Sequence, residues 1–180
     1  NYIYDKGGIY KIFNGNLLYH GCIPTKEDGT FDDVYIDGQY LSGWKYLKQV
    51  EDKVRKAFYC EVGSEEQLNA LDYCWYLWSG PKSPLFGKNK MTTFERYFIE
   101  DKATHKEHYN PYYYHIEDRD YCKSILKEFD LDINKSHIVN GHVPVKTHKG
   151  ESPIKGGGIL LVIDGGLSKA YHKSTGIGGY

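Results

Sequence analysis

The sequence predicts a mixed α/β domain, a sheet of spaced strands flanked by helices. Three observations predict it. Asn14-Gly15 sits between two short apolar runs, residues 8–13 and 16–20. Two stretches, 42–60 and 64–79, carry apolar residues at helical spacing. Two later runs, 136–140 and 159–164, are apolar and stop abruptly at glycine plus a polar residue. A hairpin, then helices, then two spaced strands is the order of a mixed sheet covered by helices.

Bulk properties narrow the class. The 180 residues are enough for one domain with a real core, or for part of a larger one. A net charge of −1, from 23 basic and 24 acidic side chains, leaves no electrostatic footprint for nucleic acid and no polybasic membrane patch. No apolar run approaches the roughly 20 residues of a membrane span. Cys22, Cys60, Cys74 and Cys122 form no CxxC pair, which fits a reducing, cytoplasmic setting better than a disulfide framework. The 18 tyrosines, with apolar bodies and polar tips, are expected to line half-wet surfaces. The chain lacks an initiator Met, opens on what reads as a strand and closes on residues 176–180 with neither helix nor polar tail. Both ends therefore read as cuts through a larger protein.

The elements follow in order. Asn-Gly is a strong hairpin-turn signal because both central positions need positive φ, so residues 8–20 form a hairpin whose return strand delivers His20. Cys22, beside His20, reads as a small buried thiol more readily than as a ligand or nucleophile. In the helix over 42–60, Ser42 is the candidate cap. Trp44, Leu47, Val50, Val54 and Phe58 are the expected inward stripe, and Lys45, Lys48, Lys53, Arg55 and Lys56 a solvated basic face. Ser64-Glu65-Glu66-Gln67 reads as a capping box, and Gly80-Pro81 ends that second helix. Its stripe of Leu68, Leu71, Trp75 and Trp78 is expected to face the core rather than to serve as an aromatic platform. Residues 79–93 form a long loop, either functional or simply exposed, whose Lys82, Lys88 and Lys90 suit a phosphate. Thr92 is a candidate cap for a short helix through Ile99. His105 and His108 stand three apart but read as a solvated helix end. Residues 118–129 read as a helix with Tyr121, Cys122, Ile125, Leu126 and Phe129 inward, and residues 149–155 as a turn-rich loop.

The chemistry concentrates at the strand ends. His142 follows Gly141 at the end of the 136–140 strand, His20 precedes Gly21 at the end of the hairpin, and Asp164 closes the last strand. Open α/β sheets keep their ligands at the carboxyl ends of strands. Two histidines there fit a pair of metal ligands, and they equally fit two hydrogen-bonded loop side chains. No phosphate-binding P-loop, dinucleotide fingerprint or GxSxG elbow is present.

Several longer motifs carry a family likeness. They are residues 20–24 (HGCIP), 78–88 (WSGPKSPLFGK), 91–97 (MTTFERY), 140–146 (NGHVPVK), and 163–166 (IDGG) with 168–171 (SKAY). Together they resemble the class III fructose-1,6-bisphosphatase of Firmicutes over essentially all 180 residues. A more distant likeness, in the order His20, Leu77-Trp78-Ser79, Asp130-Leu131-Asp132, His142, is to Ser/Thr protein phosphatases, which share the calcineurin-like metallophosphatase superfamily.

The resemblance implies the C-terminal part of a metallophosphatase β-sandwich flanked by helices. Residues 1–24 would be a hairpin bearing a metal-ligand histidine, 40–130 a mainly helical insertion with a substrate loop, and 134–180 the closing strands and loops. It implies a two-metal Mn²⁺ site and hydrolysis of fructose 1,6-bisphosphate to fructose 6-phosphate in gluconeogenesis. His20 and His142 would bind one of the metals. The family's GDxH, GDxxDRG and GNHD/E motifs, with the catalytic histidine, are absent from this sequence, so no catalytic residue is assigned within it. Many relatives carry a second histidine where this chain has Pro144. Lys88, Lys90, Lys146, Lys155, Lys169 and Arg96 lie in matching loops and are candidates for the substrate phosphates, though Arg96 could instead pair with Glu100. The implied partner is the missing N-terminal half of the same protein, with homo-oligomerisation through sheet edges as a further option. Two alternatives stand beside this reading: the segment alone is an inactive structural or interaction module, or the parent cleaves another phosphoester.

Overall fold

The computed structural model describes residues 2–164 and Lys169. Within them the chain is mixed α/β: a five-stranded sheet with helices packed on one face, plus a separate two-stranded ribbon. The motif residues 165–168 and 170–171 and the chain's last residues lie outside the described set.

A short helix, α1 (Tyr2–Lys6), replaces the strand expected at the start. Strands β1 (Tyr10–Phe13) and β2 (Asn16–Tyr19) form the anticipated hairpin. Asn14 and Gly15 both take positive φ, 49° and 73°, as a tight primed turn requires. A second hairpin, β3 (Val34–Ile36) and β4 (Gln39–Leu41), turns on Asp37 and Gly38 with φ of 48° and 84°. That Asp-Gly signal was present in the sequence and was not read as a hairpin.

Helix α2 (Gly43–Tyr59) lies where periodicity puts it, but turned from the expected face. Tyr46, Leu47, Val50 and Ala57 are buried, whereas Trp44 and Phe58 are exposed. Lys53, assigned to the solvated face, is also buried; it pairs with Asp37 and lies over the Tyr73 ring. Ser42 holds the N-cap position without a side-chain cap bond. The Glu128 carboxylate does that work, accepting from the Trp44 amide at 3.2 Å. A carboxylate at a helix N-terminus also meets the positive end of the macrodipole.

Helix α3 (Glu65–Ser79) starts as predicted, with Ser64 accepting from the Gln67 amide at 3.2 Å, and ends at Gly80. The Gln67 side chain reaches back to the Gly63 amide rather than to Ser64. The stripe expected in the core is not there: Leu68, Leu71, Trp75 and Trp78 are all exposed, and α3 buries Ala70 and Leu77 instead. Helix α4 (Thr93–Phe98) follows without a cap bond from Thr92, whose hydroxyl bonds Glu107 and the His105 carbonyl. After α5 (Tyr112–His115) comes α6 (Arg119–Glu128), capped by Asp118, and there the whole expected inward set is buried, Phe129 included.

Strands β5 (Ile138–Asn140), β6 (Ile154–Lys155) and β7 (Leu160–Val162) complete the sheet. β6 falls inside the stretch read as a turn-rich loop. The order is β1-β2-β5-β7-β6. β2, β5 and β7 run parallel, and β1 and β6 are antiparallel edges. One face carries Leu17, Tyr19, Ile138, Leu160 and Val162 into a core built with Tyr46, Leu47 and Val50 of α2 and Ile125 and Leu126 of α6. The opposite face presents Leu18, Val139 and Leu161 only half-buried. No helix among the described residues is long and apolar enough to cross a membrane.

Gly156 ties α6 to the sheet's far edge. Its φ is 55°, and a Cβ there would overlap Cys122 Sγ in the core. Gly156→Ala is expected to destabilise the fold by about 1–3 kcal/mol in denaturant titrations. Part of that loss should return in a Cys122→Ala background, because the two sites are in contact.

Candidate active site

Parallel pairing brings three sequence-distant groups to one edge. His20 follows β2, Gly141-His142 follows β5, and Ile163-Asp164 follows β7. The backbone stitches these ends together: Gly141 N–H donates to the His20 carbonyl at 2.9 Å, and Ile163 N–H to the Asn140 carbonyl at 2.8 Å. Val145 N–H donates to the Asp164 carbonyl at 2.9 Å. His20, Asn140, His142 and Asp164 line one open cavity of about 290 Å³.

His20 Nε2 and His142 Nδ1 lie 3.0 Å apart, with rings inclined at 69°. His142 Nε2 is 2.7 Å from the Phe86 carbonyl. A carbonyl only accepts, so His142 carries its proton on Nε2 and turns the Nδ1 lone pair toward His20. His142 has φ 69°, and the Val143 amide bonds back to the Gly141 carbonyl at 2.8 Å. That is a γ-turn of the strained, positive-φ kind. The other non-glycine residues with positive φ are Asn14, Asp37 and Asp130, types that tolerate it in turns. His142 is the outlier, and strain of this sort clusters at functional sites. Burial, helped by nearby His142, lowers the His20 pKa below the ordinary imidazole value, while Asp164 pulls the other way. His20 therefore favours the neutral form, the form that donates a lone pair.

The pair's spacing can be tested against a metal. With metal–nitrogen bonds of about 2.1 Å, two nitrogens on adjacent octahedral corners lie about 3.0 Å apart. The observed separation matches that, and it equally matches an N–H···N hydrogen bond donated by His20. The Phe86 carbonyl is the kind of outer partner that fixes the tautomer of a ligating histidine. Among the described residues no cluster of three or more His, Cys, Asp or Glu side chains could hold a metal, so this segment fits part of a coordination shell.

A buried polar network stands behind the pair. Asn140 Nδ2 donates to the Gly21 carbonyl at 3.1 Å and to the Tyr112 hydroxyl at 2.8 Å. Tyr112 in turn meets the Tyr19 hydroxyl at 2.6 Å. Burial first, then the neighbouring hydroxyl, drives the Tyr112 pKa well above its usual value. Asn140, from the residue pair before His142, thus grips the backbone just after His20. Its role was not read from the sequence, because an Asn ending an apolar strand carries no pattern that separates a strut from a turn residue. Lys11, which lines a cavity shared with His20, also escaped notice, as did the Phe86 carbonyl. Cys22 is the buried thiol expected, its pKa pushed up to about 12 by burial.

The six cations named from the sequence are dispersed. The two cavities lined by His142 contain none of them. Lys88 pairs with Glu107 at 2.9 Å, Lys90 donates to the Thr104 carbonyl at 2.7 Å, and Lys155 is buried against Glu117 and Glu151. Arg96 bonds Thr92 Oγ1 at 3.0 Å and the His105 carbonyl at 3.2 Å; the suggested Glu100 pairing gives way because α4 ends at Phe98. Lys146 and Lys169 are exposed. His105 Nε2 donates to the Ile99 carbonyl at 2.9 Å, and His108 is exposed, so those two histidines do not converge as a chelate. The loop over 79–93 is not simply exposed: Ser83 and Phe86 are buried, and the Pro84 carbonyl accepts from the Cys22 amide at 2.9 Å.

Residues 1–180 match the family described as Firmicute fructose-1,6-bisphosphatase. The chain belongs to that family. It is 54% identical over 179 residues to the "Fructose-1,6-bisphosphatase class 3" of Clostridium acetobutylicum and to that of Clostridium novyi (strain NT), and 52% identical to that of Clostridium botulinum (strain Loch Maree / Type A3). Each alignment covers 99% of this chain and 27% of the relative, so the chain spans about a quarter of the length of these family members. No solved structure matches it.

Two outcomes are expected here. Asn140→Ala leaves the buried Gly21 carbonyl and Tyr112 hydroxyl without their donor, and should lower unfolding free energy by about 1–3 kcal/mol. Glu107 gives a pH signature. Burial raises its pKa, but Lys88 and the Thr92 amide and hydroxyl outweigh that and hold it at about 2, against an ordinary 4.5. A depressed carboxyl pKa stabilises the fold above pH 4.5, and that contribution fades as pH falls toward 2. Glu107→Gln should flatten the stability profile across that window, measured by denaturation at stepped pH.

Proposed function

We propose that the protein of which this chain is part hydrolyses a phosphate ester of a sugar bisphosphate, fructose 1,6-bisphosphate, at a divalent-metal centre that His20 and His142 help to form. The observation that carries the reading is the convergence of two imidazole nitrogens to 3.0 Å at the carboxyl ends of parallel strands, one of them on a strained γ-turn. The family supplies the reaction class, and the shared name of the Clostridium relatives supplies the substrate.

His20 and His142 would each give a lone pair to the same ion. The Phe86 carbonyl holds the His142 proton on Nε2 and leaves Nδ1 free to ligate. Asn140 fixes the spacing of the two loops. A pair of divalent ions, when bound, neutralises phosphoryl charge and supplies a nucleophile from water at neutral pH. Imidazole donors suit Mn²⁺, Fe or Zn²⁺ better than Mg²⁺, and the family likeness favours Mn²⁺. The remaining ligands and the catalytic histidine would come from the upstream part of the parent chain. Lys146, exposed and four residues beyond His142, is the candidate cation for a substrate phosphate, with Lys169 as a second. The four cysteines are free thiols, which accords with a cytoplasmic setting, and the role in gluconeogenesis rests on the family likeness alone.

A second reading, a segment without activity of its own, draws on the two-donor count. The same experiment serves both. The full-length protein should release phosphate from fructose 1,6-bisphosphate when Mn²⁺ is added, and His20→Ala and His142→Ala should each reduce that release at least ~100-fold together with bound metal. Full-length protein that ignores this substrate while cleaving another phosphoester would overturn the assignment. Release by purified residues 1–180 alone would overturn the second reading.

A further inference from the structure

Helix α3 presents an apolar seam to open solvent. Leu68, Leu71, Trp75 and Trp78 are 53%, 46%, 76% and 68% exposed. They stand at intervals of three, four and three residues, the spacing by which one helix offers a seam to another. Helix α4 separately exposes Phe94 and Phe98, stacked at 6.4 Å. Folded proteins rarely leave such a face bare unless something docks on it.

The seam opens into a groove. Trp78, Cys74, Val54 and Met91 line an apolar hollow of about 540 Å³, and Phe86 and His142 line it too. The last residue of the seam, Trp78, therefore shares a cavity with the imidazole proposed as a metal ligand. The Phe86 carbonyl that orients His142 belongs to the groove's own wall.

What covers it follows from two facts. The family members are nearly four times as long as this chain, so about three quarters of their polypeptide lies outside it. On the metallophosphatase reading, the segment bearing the remaining donors comes within bonding reach of His142, because the described residues hold no group of three or more candidate ligands. A strand or helix arriving there passes the end of the groove.

We propose that the α3 seam and the groove leading to His142 are the docking surface for a helix from the remainder of the same polypeptide, seated beside the segment that completes the metal centre. The proposal deepens the metallophosphatase reading and rests on it. Docking of that helix would press on Trp78, Met91 and Phe86 and so fix the carbonyl that sets the His142 tautomer. Assembly of the two parts and orientation of the ligand would then be one event.

The test uses full-length protein and two variants that each add one cysteine at neighbouring positions, Leu71→Cys on the seam and Asp72→Cys beside it, both exposed in this structure. Native protein is treated with a maleimide, and labelling at each position is read by peptide mass spectrometry. The expected result is labelling of Leu71→Cys at least ~10-fold slower than Asp72→Cys, with that ratio unchanged on dilution to the monomer and abolished in denaturant. Equal rates in the native protein would overturn the proposal. Protection that vanishes when an oligomer dissociates would also overturn it, by assigning the face to a second copy. Phosphate release measured alongside separates the two readings. Protection in a protein that does not cleave the bisphosphate leaves the docking surface standing, whereas free labelling in an active enzyme removes it and leaves the activity.

Discussion

Two backbone hydrogen bonds set the geometry of this chain's polar edge: Gly141 N–H to the His20 carbonyl, and Ile163 N–H to the Asn140 carbonyl. The first lies two residues past Leu18–Val139, the last pair of β2 with β5, and the second one residue past Asn140–Val162, the last pair of β5 with β7. The chain after β5 cannot drift from the chain after β2, because the Gly141 amide holds the His20 carbonyl. Neutral imidazoles have soft preferences for partners, and on free loops they would sample many separations. Here the sheet removes that freedom, and the γ-turn at His142 aims the ring. Asn140 adds a third restraint from inside the core, spanning to Gly21. Loss of register by one residue would turn Asn140 outward and break all of this together.

Helices α2, α5 and α6 serve that edge from behind. They cover one face of the sheet and leave the other half-bare, so the sheet in this chain is a one-sided layer. An antiparallel edge on each side, β1 and β6, ends the ladder without a further parallel crossover. The loop after α3 is drawn into the core through Ser83 and Phe86, and its placement under His142 couples the helical layer to the strand ends.

Much of this was legible in the sequence, for identifiable reasons. Asn14-Gly15 declares a hairpin through conformation alone, and a short apolar run stopped by glycine declares a strand end, so His20, His142 and Asp164 fall at strand ends by pattern alone. The α6 face was read correctly because Tyr121, Cys122, Ile125, Leu126 and Phe129 are all apolar and the other side is charged. The α3 face was misread because both sides of that helix are apolar. Ala70, Tyr73 and Leu77 compete with Leu68, Leu71, Trp75 and Trp78, and size favoured the wrong set. In α2 the buried positions include Lys53, a residue type that hydropathy places outside. Lys53 is held there by Asp37 from the β3–β4 hairpin, a long-range partner that no local pattern announces. The cations are a similar case. Lysine in a loop looks alike whether it awaits a ligand or, like Lys88 and Lys155, is already matched to a carboxylate.

The two imidazoles at the sheet's edge are separated by 122 positions along the chain. Their meeting is a loop closure over that interval, and such closures come late, since their entropy must be met before any long-range contact repays it. A chain whose α2–α6 layer has not yet assembled therefore holds His20 and His142 as two unrelated side chains with no shared target. Their proximity marks a finished fold.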